Sequence, residues 1–298
     1  MLFGYLDSIL SVISFPLTKF LIPFGEDKNG NPRGLTLYAV VILIGAYVAY
    51  LVADKKIVKA GYKHGIFETL LYIVFPVGIV GGRIWYVISE WESFKGASFM
   101  DIIAIWDGGL AIQGAVILGV AAGVIYMMLR HKEVPLLLAA DVILPGVLLA
   151  QAIGRWGNFF NHEVYGAAQA RAGWSFLPNF ILNQMYVEGH PDQVYVPLFL
   201  IEGILNILGY FLITYGIGKG LKKFTVKGDL AFSYVLFYGT IRVILEPLRD
   251  PQFIMAGQAD GLRMSILMSW IYIAIGIVGI VTLHVVDFLR KKKEIKNA

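Results

Sequence analysis

The stretch AIGRWGNFFNHEVYG, from Ala152 to Gly166, closes a long apolar run with an arginine, two asparagines, a glutamate and three glycines. A guanidinium such as that of Arg155 presents a planar fork that holds a phosphate or a carboxylate with two hydrogen bonds at once. Arg155 and Asn158, three residues apart, point the same way on a helix, while Gly154 and Gly157 read as a break that permits close backbone approach. A second stretch, YGTIRVILEPLRD, spaces Tyr238, Arg242, Glu246 and Arg249 by four, four and three residues, on one helical face. Arg242 and Glu246 fit an intrahelical ion pair equally well at that spacing. Pro247 cannot donate a backbone hydrogen bond, so it should end or kink the helix and aim Arg249 out of it. Single polar residues, Tyr38, Arg83, Gln113 and Glu202, interrupt other apolar runs.

The elements that must position these residues are membrane helices. Hydrophobic residues make up 57% of the 298 and charged residues 15%, against roughly 25% charged in soluble domains. Runs of about twenty apolar residues, long enough to cross a bilayer as helix, recur throughout and leave no room for a separate soluble domain. The expected fold is therefore all-α, a polytopic transmembrane helical bundle in which residues 1–298 form a single integral membrane domain. With no cysteine, the chain has no disulfide, thiolate metal site or cysteine nucleophile, and any thiol in its chemistry must come from a partner. No residue cluster has metal-ligand spacing and no nucleotide-type glycine loop occurs, so no metal and no cofactor are expected. The net charge of +4 sits in the loops of a membrane protein, and no nucleic acid is expected as partner. Met1 to Phe24 lacks a basic start and is interrupted by Asp7 and Lys19, unlike a cleaved signal peptide. That stretch reads instead as an interfacial or membrane-dipping helix, within an N-terminal interfacial segment of residues 1–34.

Seven spans are predicted: Leu35 to Val52, Leu70 to Ile88, Leu110 to Leu129, Leu136 to Ile153, Pro197 to Ile217, Leu230 to Leu248, and Ile266 to Leu289. Basic residues gather after every odd span, and these four clusters hold 15 of the 25 lysines and arginines. The positive-inside rule then puts the N-terminus outside and the C-terminus in the cytoplasm. Gly78 with Gly82 and Gly119 with Gly123 have the spacing of close helix packing. On this topology nearly all the polar interruptions lie in the outer half, and the inner half looks nearly bare. Buried ionisable residues cost about 2.5–3.5 kcal/mol each on insertion scales and face a bundle interior or a cavity, which implies a shared pocket. Arg155, Arg249 and Lys95 also fit snorkelling to outer headgroups, a reading weaker for the deeper Arg83 and Arg242. The phosphate available to an arginine at this depth is that of a lipid headgroup.

The chain resembles the prolipoprotein diacylglyceryl transferases. Their hallmark, Gly-Arg-x-Gly-Asn-Phe-x-Asn-x-Glu-x-x-Gly, runs here from Gly154 to Gly166 without a departure. Further matches cover LTLYAVVILIG with Tyr38, GGRIWYVISEW with Arg83, IWDGGLAIQG with Gln113, VPLFLIEGILNILG with Glu202, and the Tyr238 to Arg249 stretch. The resemblance implies a multi-pass enzyme of the bacterial cell membrane with its active site on the outer side. Its implied reaction moves the diacylglyceryl group of phosphatidylglycerol to the lipobox cysteine of a prolipoprotein signal peptide, forming a thioether and releasing glycerol phosphate. The membrane lipid and the precursor would be its partners. It further implies Arg155, Arg242, Tyr238 and Glu202 as catalytic residues. Arg155, Asn158, Tyr38, Gln113, Arg83, Glu163, Gly166 and Glu246 would bind the lipid.

Two departures from the family pattern bear on mechanism. Many members carry histidine where Gln113 stands, and glutamine cannot take a proton at neutral pH, which leaves the base unassigned. The fifth span reads VPLFLIE, keeping Pro197 and Glu202 but lacking a histidine and a tyrosine. His162, inside the hallmark, reads as a solvated neighbour rather than a replacement base. The segment 164–196, extracytoplasmic on this topology, suits a peptide-access element, a plain surface loop or a structured cap. The rival reading is a non-catalytic phospholipid-binding membrane protein or transporter of the same fold, although a transporter should expose polar groups toward both faces.

Overall fold

The computed structural model describes residues 20–26, 32–251 and 258–297. Among the described residues, seven helices are long and apolar enough to cross a membrane. They are α1 (Leu37–Lys59), α2 (Ile66–Ser89), α3 (Ile112–Arg130), α4 (Leu136–Asn161), α5 (Leu198–Phe211), α6 (Asp229–Leu245) and α7 (Gln258–Asn297). A π-helical segment, Leu212–Gly220, extends α5 to full span length. Each predicted span falls on one of these helices. At the start of α1, the Thr36 hydroxyl accepts from the Ala39 amide at 3.2 Å, an N-cap that satisfies one of the helix's free donors.

Helix α4 is the central element, packing on α1, α5 and α6, while α2 pairs with α3 and α6 with α7. The glycine pairs act in packing as their spacing implies, although the tightest α2–α3 approach is between Gly81 and Gly114, where a methyl group on either would collide with the other backbone.

Three expectations are corrected. The N-terminal segment is not helical where it is described: β1 (Phe20–Glu26) pairs antiparallel with β2 (Pro32–Thr36). Pro23 cannot support a helix interior and Gly25 adopts φ 98°, a conformation suited to a turn or bulge. Residues 1–19, the rest of the expected helix, lie outside the described residues. Second, the glycines of the hallmark do not break α4, which runs through Gly154 and Gly157 to Asn161. Gly157 is instead small because the ring of Tyr38 lies where its side chain would be.

Third, the half of the bundle opposite Arg155 is not bare. Asp54, Asp141 and Asp229 are buried there. Asp54 accepts from the Gly65 amide at 2.8 Å and contacts His64, and Asp141 accepts from the Gly228 and Ala231 amides at 2.6 and 2.9 Å. Asp229 accepts from the Val226 amide at 2.8 Å and pairs with His284 at 2.9 Å. These carboxylates satisfy free amides at and just before the starts of α2 and α6, donors that no intrahelical carbonyl reaches. They are structural caps rather than the lining of a second polar pathway.

Between α4 and α5 the chain builds a structured cap. In it β3 (Ala168–Ala170), β4 (Tyr186–Val187) and β5 (His190–Tyr195) form an antiparallel sheet ordered β3-β5-β4. Ile181, Leu182, Met185 and Val194 bury against Phe159 and Phe199, so the cap shares a core with the ends of α4 and α5.

Candidate active site

The C-terminal turns of α4 carry the first part of the site. Arg155 forms an ion pair with Glu202 of α5, and its other terminal nitrogen donates to the Asn158 Oδ1 at 3.2 Å. Asn158 in turn donates from Nδ2 to Glu163 at 3.0 Å, and Asn161 donates to the same carboxylate oxygen at 3.3 Å. The network Glu202–Arg155–Asn158–Glu163 therefore ties three polar groups of the hallmark to α5, and Asn161 joins it at Glu163. Glu202 is 4% and Asn158 7% exposed, a degree of burial at which charges and amides need such partners.

Local backbone geometry aims Glu163 back at the helix. The chain leaves α4 through His162 at φ 51°, and Val164 follows at φ 58°. A left-handed β-branched residue such as Val164 is strained and persists only where its surroundings fix it. Here the Glu163 amide donates to the Asn158 carbonyl at 3.0 Å, closing the helix end. The Tyr38 ring packs over Gly157, and its hydroxyl lies within electrostatic reach of Glu163 and Arg155.

The second part comes from α6. Arg242 pairs with Glu246 at 2.5 Å and donates to Ser265 of α7 at 3.2 Å. The intrahelical pair thus forms, within the larger site. Pro247 ends the α-helix as expected, and a 3₁₀ turn, Glu246–Leu248, follows. Arg249 does not leave for the headgroups: it turns back to Glu246 at 3.4 Å with 13% of its side chain exposed. Burial, with the Arg242 guanidinium beside it, lowers Arg249 to about 10, and the charges of Arg155, Glu202 and Glu246 also act on it. Arg249 therefore joins the two halves of the site. Three guanidiniums and three carboxylates meet here, and burial is the main cause of the lowered Arg249, with the neighbouring guanidiniums adding to it.

The remaining candidates divide. Tyr238 stacks on Tyr234 and lies tilted against Tyr272, with ring centroids 6.2 and 5.9 Å away, one turn along α6 from Arg242. Arg83 does not join the site. Its guanidinium donates to the carbonyls of Ile102, Gly108, Gly109 and Asp101 at 2.7–3.1 Å and lies over Tyr86 and Phe94. It clamps the loop between α2 and α3, which uses up the donors that a lipid phosphate would need. Gln113, in the first turn of α3, is exposed, and no hydrogen bond links it to the arginine cluster among the described residues. Gly166 acts through its backbone: its amide donates to the Val196 carbonyl at 2.9 Å, it bridges to Arg249, and an added methyl would meet the Leu248 carbonyl. It positions Arg249 rather than offering a group to a ligand.

His162 is half-buried in the cap rather than a freely solvated neighbour. It stacks on Tyr186 at 4.4 Å, Nε2–H donates to the Tyr186 carbonyl at 3.2 Å, and burial lowers its pKa, so it is a neutral part of the cap. Ser265 and the joining role of Arg249 escaped the sequence. The serine carries no local signal, and the arginine sits beyond a helix end where snorkelling is the ordinary reading. Beside the Arg155–Glu202 pair, an apolar groove of about 280 Å³ runs along α4 and α5, from Trp156 and Phe199 inward to Leu149 and Ile207. Among the described residues, no group of carboxylates and histidines has the geometry of a metal site.

A family model described as prolipoprotein diacylglyceryl transferase matches residues 31–282. Relatives named phosphatidylglycerol--prolipoprotein diacylglyceryl transferase include one from Streptococcus uberis, 35% identical over 84% of this chain and 92% of its own length. Another, from Lactococcus lactis subsp. cremoris, is 39% identical over 83% of this chain and 90% of its own. A third, from Streptococcus agalactiae serotype Ia, is 38% identical over 84% and 92%.

Proposed function

The chain belongs to the prolipoprotein diacylglyceryl transferase family, and on that premise we propose how its arginine cluster performs the transfer. It is a multi-pass membrane transferase that moves the diacylglyceryl group of phosphatidylglycerol to a prolipoprotein, the first step of lipoprotein maturation. The acceptor is the thiol of the lipobox cysteine, and the site faces the outer side of the bacterial cell membrane, where exported precursors arrive.

The observation that carries the reading is the convergence of Arg155, Arg242 and Arg249 from α4, α6 and the turn after α6. The lipid phosphate is held among the converging guanidiniums, with Arg249 between Arg155 and Arg242. An acyl chain lies in the apolar groove that begins beside Trp156. Asn158 and Tyr238 orient the glycerol and the peptide by hydrogen bonds. The thiolate sulfur attacks the glycerol carbon, the carbon–oxygen bond to phosphate breaks, and glycerol phosphate departs with its electron pair. The arginines lower the barrier by stabilising the charge that grows on that leaving oxygen.

The thiol proton needs an acceptor, because a free thiol with a pKa of about 8.5 is mostly protonated at neutral pH. Glu202 is bound to Arg155, and Glu246 to both Arg242 and Arg249. Glu163, whose partners among the described residues are the amides of Asn158 and Asn161, is the carboxylate best able to take it. Gln113 has no part in that step.

The test gives purified protein phosphatidylglycerol vesicles and a lipobox peptide and looks for the thioether by mass spectrometry. Product formation supports the transferase. Lipid binding without product would instead favour the non-catalytic binding protein.

A further inference from the structure

At the opposite end of the bundle from Arg155, the start of α4, the loop before α6 and the late turns of α7 line an open cavity of about 780 Å³. From Leu136 at its edge to Arg155 is 19 helical residues, or about 28 Å at 1.5 Å per residue. That is close to one hydrocarbon thickness, so this cavity lies at the interface of the other leaflet. Its two materials differ. Leu136, Leu137, Leu283 and Val286 make an apolar wall, and Lys227, Arg290 and Lys291 stand at the mouth.

The walls are fixed by the buried carboxylates already described. Asp141 on α4 holds the Gly228 and Ala231 amides, and Asp229 holds the Val226 amide and His284 of α7. This ties the loop carrying Lys227 to both helices that form the rest of the cavity. The amides at the start of α6 are thereby occupied, and the charge at the mouth comes from side chains alone. Lys291 is shared with Asp287 at 2.7 Å, whereas Lys227 and Arg290 have no ion-pair partner among the described residues. The mouth is thus cationic in excess beside an apolar wall.

We infer that this cavity is a second lipid site, which holds an anionic phospholipid of that leaflet with its phosphate on Lys227, Arg290 and Lys291 and an acyl chain against Leu136, Leu137 and Leu283. Basic pockets between helices at a membrane interface select anionic headgroups because the cations are only partly screened there. The guanidinium of Arg290 adds a two-point grip on phosphate. The site performs no chemistry and stands independently of the transfer reaction at the other face.

A photoactivatable phosphatidylglycerol, with a diazirine on one acyl chain, tests this in phosphatidylcholine nanodiscs holding the full chain. Labelled peptides are mapped by mass spectrometry. Peptides covering 135–137 and 283–291 should be labelled at least fivefold more than with the matching phosphatidylcholine probe. The K227Q/R290Q/K291Q variant should lose that excess while keeping labelling at 152–163 and unchanged transfer activity. If the triple variant fails to fold, Lys227→Gln alone should reduce the labelling severalfold. Equal labelling by the two probes, or labelling unchanged in a folded variant, overturns the proposal. So does absence of label from these peptides when 152–163 is labelled.

Discussion

The guanidinium of Arg155 on α4 is paired with the carboxylate of Glu202 on α5, 47 residues later in the chain, at a level where both side chains are largely buried. The pair locks two helices together and leaves the other terminal nitrogen of Arg155 on Asn158. One side chain thereby sets the spacing of α4 and α5 and the orientation of the hallmark asparagine. Arg249 performs the matching service on the other side, joined to α6 through Glu246 and to the cap through Gly166.

Because Arg155 serves Glu202 and Asn158 together, replacing its fork by a single ammonium should be damaging although the charge is kept. Arg155→Lys is expected to fold and to lose about a hundredfold or more of the initial rate of thioether formation. A rate near that of the unaltered protein would remove Arg155 from the proposed chemistry.

The Tyr38 ring occupies the space over Gly157, so Gly157→Ala should act as overpacking and cost about 1–3 kcal/mol. Its melting temperature should fall, and adding Tyr38→Ala should recover part of the loss. That recovery, read in thermal unfolding of the two single variants and the double one, distinguishes a steric clash from a loss of helix propensity.

Burial lowers the pKa of His162. The unfolded chain therefore takes up a proton at higher pH than the folded one. The stability tied to the neutral ring is complete above the ordinary value of about 6.5 and is lost as the pH falls below it, through the folded value. Melting temperature should decline over that acidic interval, and His162→Phe should flatten the decline. An equal slope in both proteins would place the titrating group elsewhere.

The absence of native cysteine makes topology directly measurable. In intact cells, His190→Cys in the cap should react with a membrane-impermeant maleimide added outside, and Lys222→Cys should react only after the membrane is opened. The reverse result would invert the bundle and move the arginine cluster to the cytoplasmic face.

The seven spans were legible in the amino-acid sequence because a bilayer imposes a length and a polarity on every helix that crosses it, and both are local properties. The cluster of ionisable residues near one face was legible for the same reason, since each charge inside an apolar run stands out against its neighbours. The spacing of Tyr238, Arg242 and Glu246 even named a face, because helical periodicity is local too. Which charges meet was not local. Arg83 and Arg155 look alike as arginines in apolar runs, yet one spends its donors on a loop and the other crosses to Glu202. The packing of α4 against α1, α5 and α6 decided that, as it decided that Gly157 makes room for a ring and that Arg249 turns inward rather than toward the headgroups. A side chain's own sequence neighbourhood records how costly its burial is, and only the helices packed beside it determine which partner meets that cost.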